Sequence, residues 1–164
     1  MSQNNKFEDV IDFVLAHEGG YCNNCSDRGG ETNYGISKRQ YPELDIRSLT
    51  KERAKEIYKS DFWDKWRFSE INDIDICAKV FDLSVNMGQS AATKVTQNAL
   101  AALGINVAID GILGSATLSA INSCNKDSLL HELKSYAYQY YLNISMRDPT
   151  QSKFLAGWRA RAYA

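Results

Sequence analysis

Apolar side chains recur every three or four positions near the start of the chain, at Phe7, Val10, Ile11, Val14 and Leu15. This spacing predicts an amphipathic helix over residues 6–16, and the Gly19-Gly20 pair ends it. From residue 19 to residue 36 Gly, Asn, Asp and Ser predominate, with two short extended stretches. We therefore expect a small irregular β-hairpin after the first helix, which is the only β candidate in the sequence.

The rest of the pattern is helical. Thr50 is placed to cap a helix over residues 51–63. Residues 74–87 are apolar on almost every side, as in a helix buried all round, and Gly88 ends it. This segment is predicted to be the central helix of a mainly α fold.

Helix start signals divide the C-terminal part of the chain. Ser90 is expected to cap a helix over 91–103 that Gly104 closes, and Ser115 a shorter helix to about residue 122. A long helix is predicted over 127–147, and its many tyrosines are interpreted as a mixture of core and surface residues. Asp148-Pro149 begins the last helix. With no linker visible, we expect a region 1–90 closely packed against a region 91–164.

Composition and charge narrow the possible partners. The 164 residues are 44% hydrophobic and 24% charged, with a formal net charge of -1. No basic surface is available to hold a polyanion, so nucleic acid is not an expected partner. No apolar run approaches the roughly 18 residues of a membrane span, and the first residues lack a secretory h-region. We expect a monomer, made in the cytoplasm without a signal peptide.

The cysteines do not complete a metal site. Cys22 and Cys25 form a CxxC pair, but a structural zinc site needs four ligands and the sequence has only two histidines. A redox protein would need a thioredoxin-like βαβ pattern, which is absent. We therefore expect no metal and no cofactor, and interpret the pair as loop thiols.

Two carboxyl groups and a hydroxyl group fit glycoside hydrolysis, which uses one protonated and one ionised carboxyl group. Glu18 lies at a predicted helix C-terminus, whose partial negative charge favours a protonated acid. Asp27 follows in a polar loop, and Thr32 could orient a water molecule. Taken alone, a glutamate at a helix end and an aspartate in a turn are more often ordinary surface residues than catalytic ones.

Several motifs appear in one order along the chain: His17-Glu18-Gly19-Gly20-Tyr21, Asp27 to Ser37, Ile57-Tyr58, Phe62-Trp63, Phe81-Asp82 to Asn86-Met87-Gly88, Asp110-Gly111-Ile112-Leu113-Gly114 to Thr117, and Phe154 to Arg159. Together they resemble glycoside hydrolase family 108, the N-acetylmuramidases found among phage endolysins and secretion activator proteins. The resemblance implies a lysozyme-like helical fold and a C-terminal peptidoglycan-binding region. The Cys22–Cys25 segment departs from the family pattern.

The resemblance implies a catalytic set of Glu18 as general acid, Asp27 as second carboxylate and Thr32 as the water-holding residue. Such an enzyme cleaves the β-1,4 bond between N-acetylmuramic acid and N-acetylglucosamine, and the Asp-Thr arrangement favours inversion. Residues Asp82 and Glu31 are rivals for the second carboxylate.

Four further residues are candidates for substrate binding. Tyr21 and Tyr34 could stack on sugar rings, and Asn86 and Gln89 could hydrogen-bond an acetamido group. Core packing and helix capping are the alternatives. The DG.LG..T segment could equally be a structural turn and cap.

The predicted function is therefore peptidoglycan hydrolysis in the periplasm or cell wall, after holin-dependent or secretion-dependent release. The alternative function is a non-catalytic peptidoglycan-binding secretion accessory.

Overall fold

The computed structural model describes residues 3–23 and 30–164. The chain divides into two compact units, Met1–Trp66 and Arg67–Ala164. The functional division expected at residue 90 lies inside the second unit and stays a prediction. No helix within the described residues combines the length and apolar character needed to cross a membrane.

Two helical segments build the core of the first unit. Helix α1 (Gln3–His17) buries Phe7, Val10, Ile11 and Val14 almost completely, on the predicted face. Helix α2 (Lys51–Tyr58) begins at Thr50, whose Oγ1 accepts a hydrogen bond from the N–H of Arg53 at 3.2 Å, which confirms the predicted cap. The chain continues into a π-helical turn, Lys59–Trp63, within the segment predicted as one helix.

A small antiparallel sheet follows α1, as predicted. Its strands are β1 (Cys22–Asn23), β2 (Glu31–Asn33) and β3 (Ile36–Ser37), in the order β1-β2-β3. The expected hairpin is therefore a three-stranded sheet among the described residues. Asn33 anchors this sheet from its buried face, where its Nδ2 donates to Ile46 O at 3.1 Å and to Leu49 O at 3.3 Å.

The second unit is helical throughout its regular elements. After a short 3-10 turn (Phe68–Glu70), its helices are α3 (Ile74–Met87), α4 (Gln89–Ala102), α5 (Ser115–Ser123), α6 (Lys126–Arg147) and α7 (Leu155–Tyr163), with a 3-10 turn (Pro149–Phe154) before α7. Helix α3 packs on α4 and α6, and α6 packs on α4 and α7. Val80, Phe81 and Leu83 of α3 are fully buried, so the predicted central helix is confirmed for this unit.

The helix ends confirm some predicted signals and correct two. Asp148 caps the turn beginning at Pro149 by accepting from the N–H of Thr150 at 3.1 Å. Gly104 (φ +77°) closes α4 with the two hydrogen bonds of a Schellman motif. The predicted cap at Ser90 is wrong because α4 already begins at Gln89, directly after Gly88 (φ +86°).

The second correction concerns Ser115. It is the first residue of α5 and not its cap, because Gly114 occupies the N-cap position in an extended conformation. The Ser115 hydroxyl oxygen instead accepts a hydrogen bond from Arg67 Nη1 at 3.0 Å. Ser115 therefore joins two distant segments of the second unit through its side chain.

A buried charge cluster lies inside the second unit. Asp82 is fully buried, and its carboxylate accepts from Arg161 Nη2 at 2.8 Å and from Arg161 Nε at 3.2 Å. Lys79, also buried, donates from Nζ to the backbone oxygen of Arg161. Asp82 thus has the partner that a buried carboxylate requires, which favours a structural role over its rival catalytic one.

Lys79 should make stability depend on pH. Burial lowers the pKa of its ammonium group from the ordinary 10.5 to about 8 in the folded chain. Between these values the unfolded chain binds a proton that the folded chain has lost, so the free energy of unfolding rises with pH, by up to about 3 kcal/mol. Chemical denaturation at pH 7.5, 8.5 and 9.5 should show this rise.

Two variants test the assignment of that rise to Lys79. Lys79→Met should abolish it, whereas Lys94→Met, at an exposed lysine of the same unit, should keep it. A flat wild-type profile, or an unchanged slope in Lys79→Met, would contradict the assignment.

Candidate active site

Glu18 lies at the end of α1, where the sequence places the general acid. Its backbone N–H donates to Val14 O at 3.2 Å, and its side chain is half-buried. The next residue, Gly19, accepts a hydrogen bond from the N–H of Tyr34 at 3.1 Å. The backbone therefore ties the end of α1 to the turn between β2 and β3.

That turn requires unusual backbone angles. Tyr34 and Gly35 join β2 to β3, and both have positive φ, at 51° and 75°. Two consecutive residues with positive φ are what a type I′ hairpin turn needs. Tyr34, a candidate for sugar stacking, is thus a half-buried turn residue, and its carbonyl oxygen accepts a hydrogen bond from Tyr58 Oη at 2.9 Å.

Gly35 makes room for the Glu18 carboxyl group. A Cβ atom at this position would lie 2.7 Å from Glu18 Cδ and 2.5 Å from Tyr58 Oη, closer than real Cβ atoms come to other atoms. The carboxyl group and the phenol therefore flank the glycine on the inner side of the turn. The turn, α1 and α2 together define where the Glu18 carboxyl group lies.

Thr32 occupies the middle of the sheet that carries this turn. Its Cα partners are Cys22 on β1 and Ser37 on β3, and its side chain is half-buried. It lies on β2, the strand that leads into the Glu18 turn. Asp27, predicted as the second carboxylate, lies outside the described residues, as does Cys25.

Tyr21 lies on the surface beside the sheet. Its hydroxyl group donates to Glu31 Oε1 at 2.7 Å, and this hydrogen bond raises the pKa of the Tyr21 phenol because the carboxylate stabilises its protonated form. Glu31, a rival for the second carboxylate, is engaged in this contact. An exposed ring held in place by its hydroxyl group suits a platform for a sugar.

Sequence reasoning did not assign roles to Tyr58 or Gly35, although both lie in the motifs described above. The clue at Gly35 is its place in the turn segment Asn33-Tyr34-Gly35. Tyr58 offers no local clue, because its contact with the turn spans 24 positions. Within residues 3–23 and 30–164 no cluster of three His, Cys, Asp or Glu side chains is arranged to hold a metal ion.

Two regions of the chain match known protein families. Residues 11–88 match the glycosyl hydrolase 108 family, and residues 91–163 match a family described as a predicted peptidoglycan domain. The chain combines a glycosyl hydrolase 108 region with a predicted peptidoglycan domain. The expected family and architecture are therefore confirmed.

Solved structures support the fold. The structure of Brucella abortus SagA is similar to this chain with a TM-score of 0.69, at 24% sequence identity, covering 97% of this chain and 94% of that one. This likeness confirms the predicted mainly helical, lysozyme-like fold with a small sheet after the first helix. No match is found among the curated proteins.

Two predicted substrate-binding residues flank Gly88, at the junction of the two matched families. Asn86 Oδ1 accepts a hydrogen bond from Tyr141 Oη at 2.7 Å, so its amide joins α3 to α6. Gln89 Nε2 donates to Thr93 Oγ1 at 3.3 Å, whereas its Oε1 is buried with no hydrogen-bond partner among the described residues. Contact of either residue with an acetamido group stays a prediction.

The DG.LG..T segment of the predicted peptidoglycan domain is organised by a buried glutamine. Gln97 Nε2 donates to Asp110 Oδ1 at 2.8 Å and to Thr117 Oγ1 at 3.2 Å, and Gln97 Oε1 accepts from the N–H of Gly111 at 2.9 Å. These contacts favour the structural interpretation of the motif. Gln97 was missed because it lies in α4, more than ten residues before the motif.

Proposed function

We propose that this protein is a peptidoglycan hydrolase that cleaves the β-1,4 bond between N-acetylmuramic acid and N-acetylglucosamine. It would act as a monomer in the periplasm or cell wall, after holin-dependent or secretion-dependent release. The family matches support the coarser statement, that the chain joins a glycoside hydrolase region to a peptidoglycan domain. The bond and the residue roles are the proposal.

The observation that carries the proposal is the placement of Glu18. A half-buried carboxyl group at a helix end lies against a glycine turn within a glycosyl hydrolase 108 region. A general acid needs a fixed position and partial shielding from water, so that its proton is available to the leaving oxygen. Both conditions are supported here by contacts from three separate chain segments.

In the proposed mechanism Glu18 protonates the glycosidic oxygen as the bond to the sugar breaks. Positive charge then develops on the ring as an oxocarbenium-like state. Asp27 stabilises this charge, or takes a proton from a water molecule that Thr32 orients. The position of Thr32 on the strand leading into the Glu18 turn supports its assignment to the same site.

The alternative is a non-catalytic peptidoglycan-binding accessory of secretion. The predicted peptidoglycan domain is compatible with it, and so is the likeness to SagA. The presence of both Glu18 and Thr32 on the same structural unit favours the enzyme.

Incubation of the purified protein with insoluble peptidoglycan separates the two functions. The hydrolase should release soluble fragments that carry new reducing ends, in proportion to time and enzyme. Co-sedimentation with the wall and no soluble reducing ends would contradict the hydrolase and support the non-catalytic peptidoglycan-binding alternative.

Gly35→Ala should reduce hydrolysis by about 10²-fold, because a new Cβ displaces the Glu18 carboxyl group by a fraction of an ångström or more. The matched control is Gly30→Ala. Gly30 also has a positive φ, +68°, but a Cβ there would meet no atom of the described residues within 4 Å. Both substitutions place an alanine at a positive φ, which costs each variant about 1–2 kcal/mol of stability. A difference between their hydrolysis rates should therefore come only from a displaced Glu18 carboxyl group. Equal rates for the two variants would contradict this role for Gly35.

A further inference from the structure

A cleft between α4 and α6 in the second unit has the size of a ligand site. Its volume is about 810 Å³, within the range of roughly 300–1,000 Å³ of small-molecule pockets. Most of the described residues that line it lie in the predicted peptidoglycan domain. Six of them carry amide or phenol groups: Gln89, Asn98, Tyr136, Gln139, Tyr140 and Asn143.

The α6 wall of this cleft is a stripe of polar and aromatic side chains. Tyr136 and Tyr140 are one helical turn apart, as are Gln139 and Asn143. Gln139 Nε2 donates to Asn143 Oδ1 at 3.2 Å. This hydrogen bond leaves the Gln139 side-chain oxygen as an acceptor and the Asn143 side-chain nitrogen as a donor for a ligand. The half-buried rings of Tyr136 and Tyr140 lie on the same wall.

Charge is scarce along the cleft. Lys94 is the one charged side chain among the described residues that line it. Amide groups both donate and accept hydrogen bonds, and tyrosine rings offer apolar faces with a polar edge. The cleft therefore fits a neutral ligand that presents apolar faces, hydroxyl groups and amides together.

We propose that this cleft binds an N-acetylated sugar segment of the glycan strand. N-acetylglucosamine has an apolar ring face for the tyrosines, and an acetamido group with one donor and one acceptor for the amides. A stem peptide carries several ionised groups, for which a single lysine is a poor match. The proposal rests on the peptidoglycan specificity proposed above, and does not need catalysis by Glu18.

Gln89 adds an independent sign of a ligand. Its Oε1 is buried and lacks a hydrogen-bond donor among the described residues, although Gln89 lines the cleft. A buried acceptor without a donor is unfavourable. Rotation of this amide towards the acetamido N–H of a bound sugar would satisfy the oxygen that the ligand-free arrangement leaves without a donor.

The test is an NMR titration of the full chain carrying Glu18→Gln, which prevents turnover. Tetra-N-acetylchitotetraose should shift the side-chain amide signals of Gln89, Asn98, Gln139 and Asn143 in a saturable way. A soluble stem tetrapeptide should leave them in place. If the sugar leaves these signals unmoved, or if the peptide alone moves them, the proposal is wrong.

Matched tyrosine variants locate the site on α6. Tyr140→Ala should weaken sugar binding at these signals by roughly tenfold. Tyr138→Ala should not, because Tyr138 lies outside the cleft and packs against Tyr163. Asn143→Ala, at an exposed position, tests the cleft without disturbing the core and should also weaken binding. Equal weakening by Tyr138→Ala and Tyr140→Ala would overturn the location.

The titration also separates this proposal from the catalytic one. A wild-type protein that releases no reducing ends, while its Glu18→Gln variant still shows the four amide shifts, would overturn the enzyme and leave the sugar site intact.

Discussion

Glu18→Gln should lower the rate of peptidoglycan hydrolysis by about 10²–10⁴-fold, the usual contribution of a general acid. Glutamine has nearly the shape of glutamate, so the packing against Gly35 and the end of α1 should be kept. It carries no acidic proton to give to the leaving oxygen, and the bond to the sugar therefore breaks unassisted. The release of soluble reducing ends from purified peptidoglycan measures the loss.

Glu31→Gln is the matched control for this variant. Glu31 lies on β2, the strand that leads into the turn against Glu18, and accepts a hydrogen bond from Tyr21, yet the proposed mechanism gives it no chemical step. Its substitution should leave the rate within a few fold of the wild type, and both variants should still sediment with the wall. A larger loss for Glu31→Gln than for Glu18→Gln would assign the essential carboxyl group to Glu31.

Arg161→Met should lower the free energy of unfolding by about 3–5 kcal/mol, because it leaves the buried Asp82 carboxylate without its guanidinium partner. Methionine fills much of the same volume, so the loss reports the buried charge more than a cavity. Chemical denaturation at pH 7 is the measurement. Arg159→Met, at an exposed position of the same helix, should change stability by less than about 0.5 kcal/mol.

The double variant Asp82→Asn with Arg161→Met completes this test. It should recover part of the lost stability, because the remaining amide carries no charge. Asp82→Asn alone should impair stability but keep the activity of the folded protein near the wild-type level. Full stability with abolished hydrolysis in Asp82→Asn would instead make Asp82 the second catalytic carboxylate.

Local signals in the sequence predicted the helices well. The cap at Thr50 and the Asp148-Pro149 start depend on atoms within three residues, so short segments determine them. The end of α1 at His17 follows equally from local chemistry, because Gly19 and Gly20 come directly after Glu18. Ser90 and Ser115 are not caps, because Gly88 and Gly114 occupy the N-cap positions of α4 and α5.

The long-range contacts of the candidate site and of the buried charge cluster could not be predicted in this way. Tyr58 reaches Tyr34 across 24 positions, and Arg161 reaches Asp82 across 79. Asn33 looks like an ordinary turn residue in the sequence, yet it is buried and anchors the sheet to the segment before α2. The identity of such a partner depends on the three-dimensional fold. The local sequence indicates only that a buried polar group must have a hydrogen-bonding or charged partner.

The most direct test of the central claim is the identity of the sugar at the new reducing ends. Fragments released from peptidoglycan by the wild-type protein can be reduced with borohydride and analysed intact by tandem mass spectrometry, which identifies the terminal sugar. N-acetylmuramitol is the predicted terminal sugar, because cleavage of the proposed bond leaves N-acetylmuramic acid at the new reducing end. N-acetylglucosaminitol would contradict the proposed bond specificity, and new peptide amino groups with no reduced sugar would contradict the glycosidase itself.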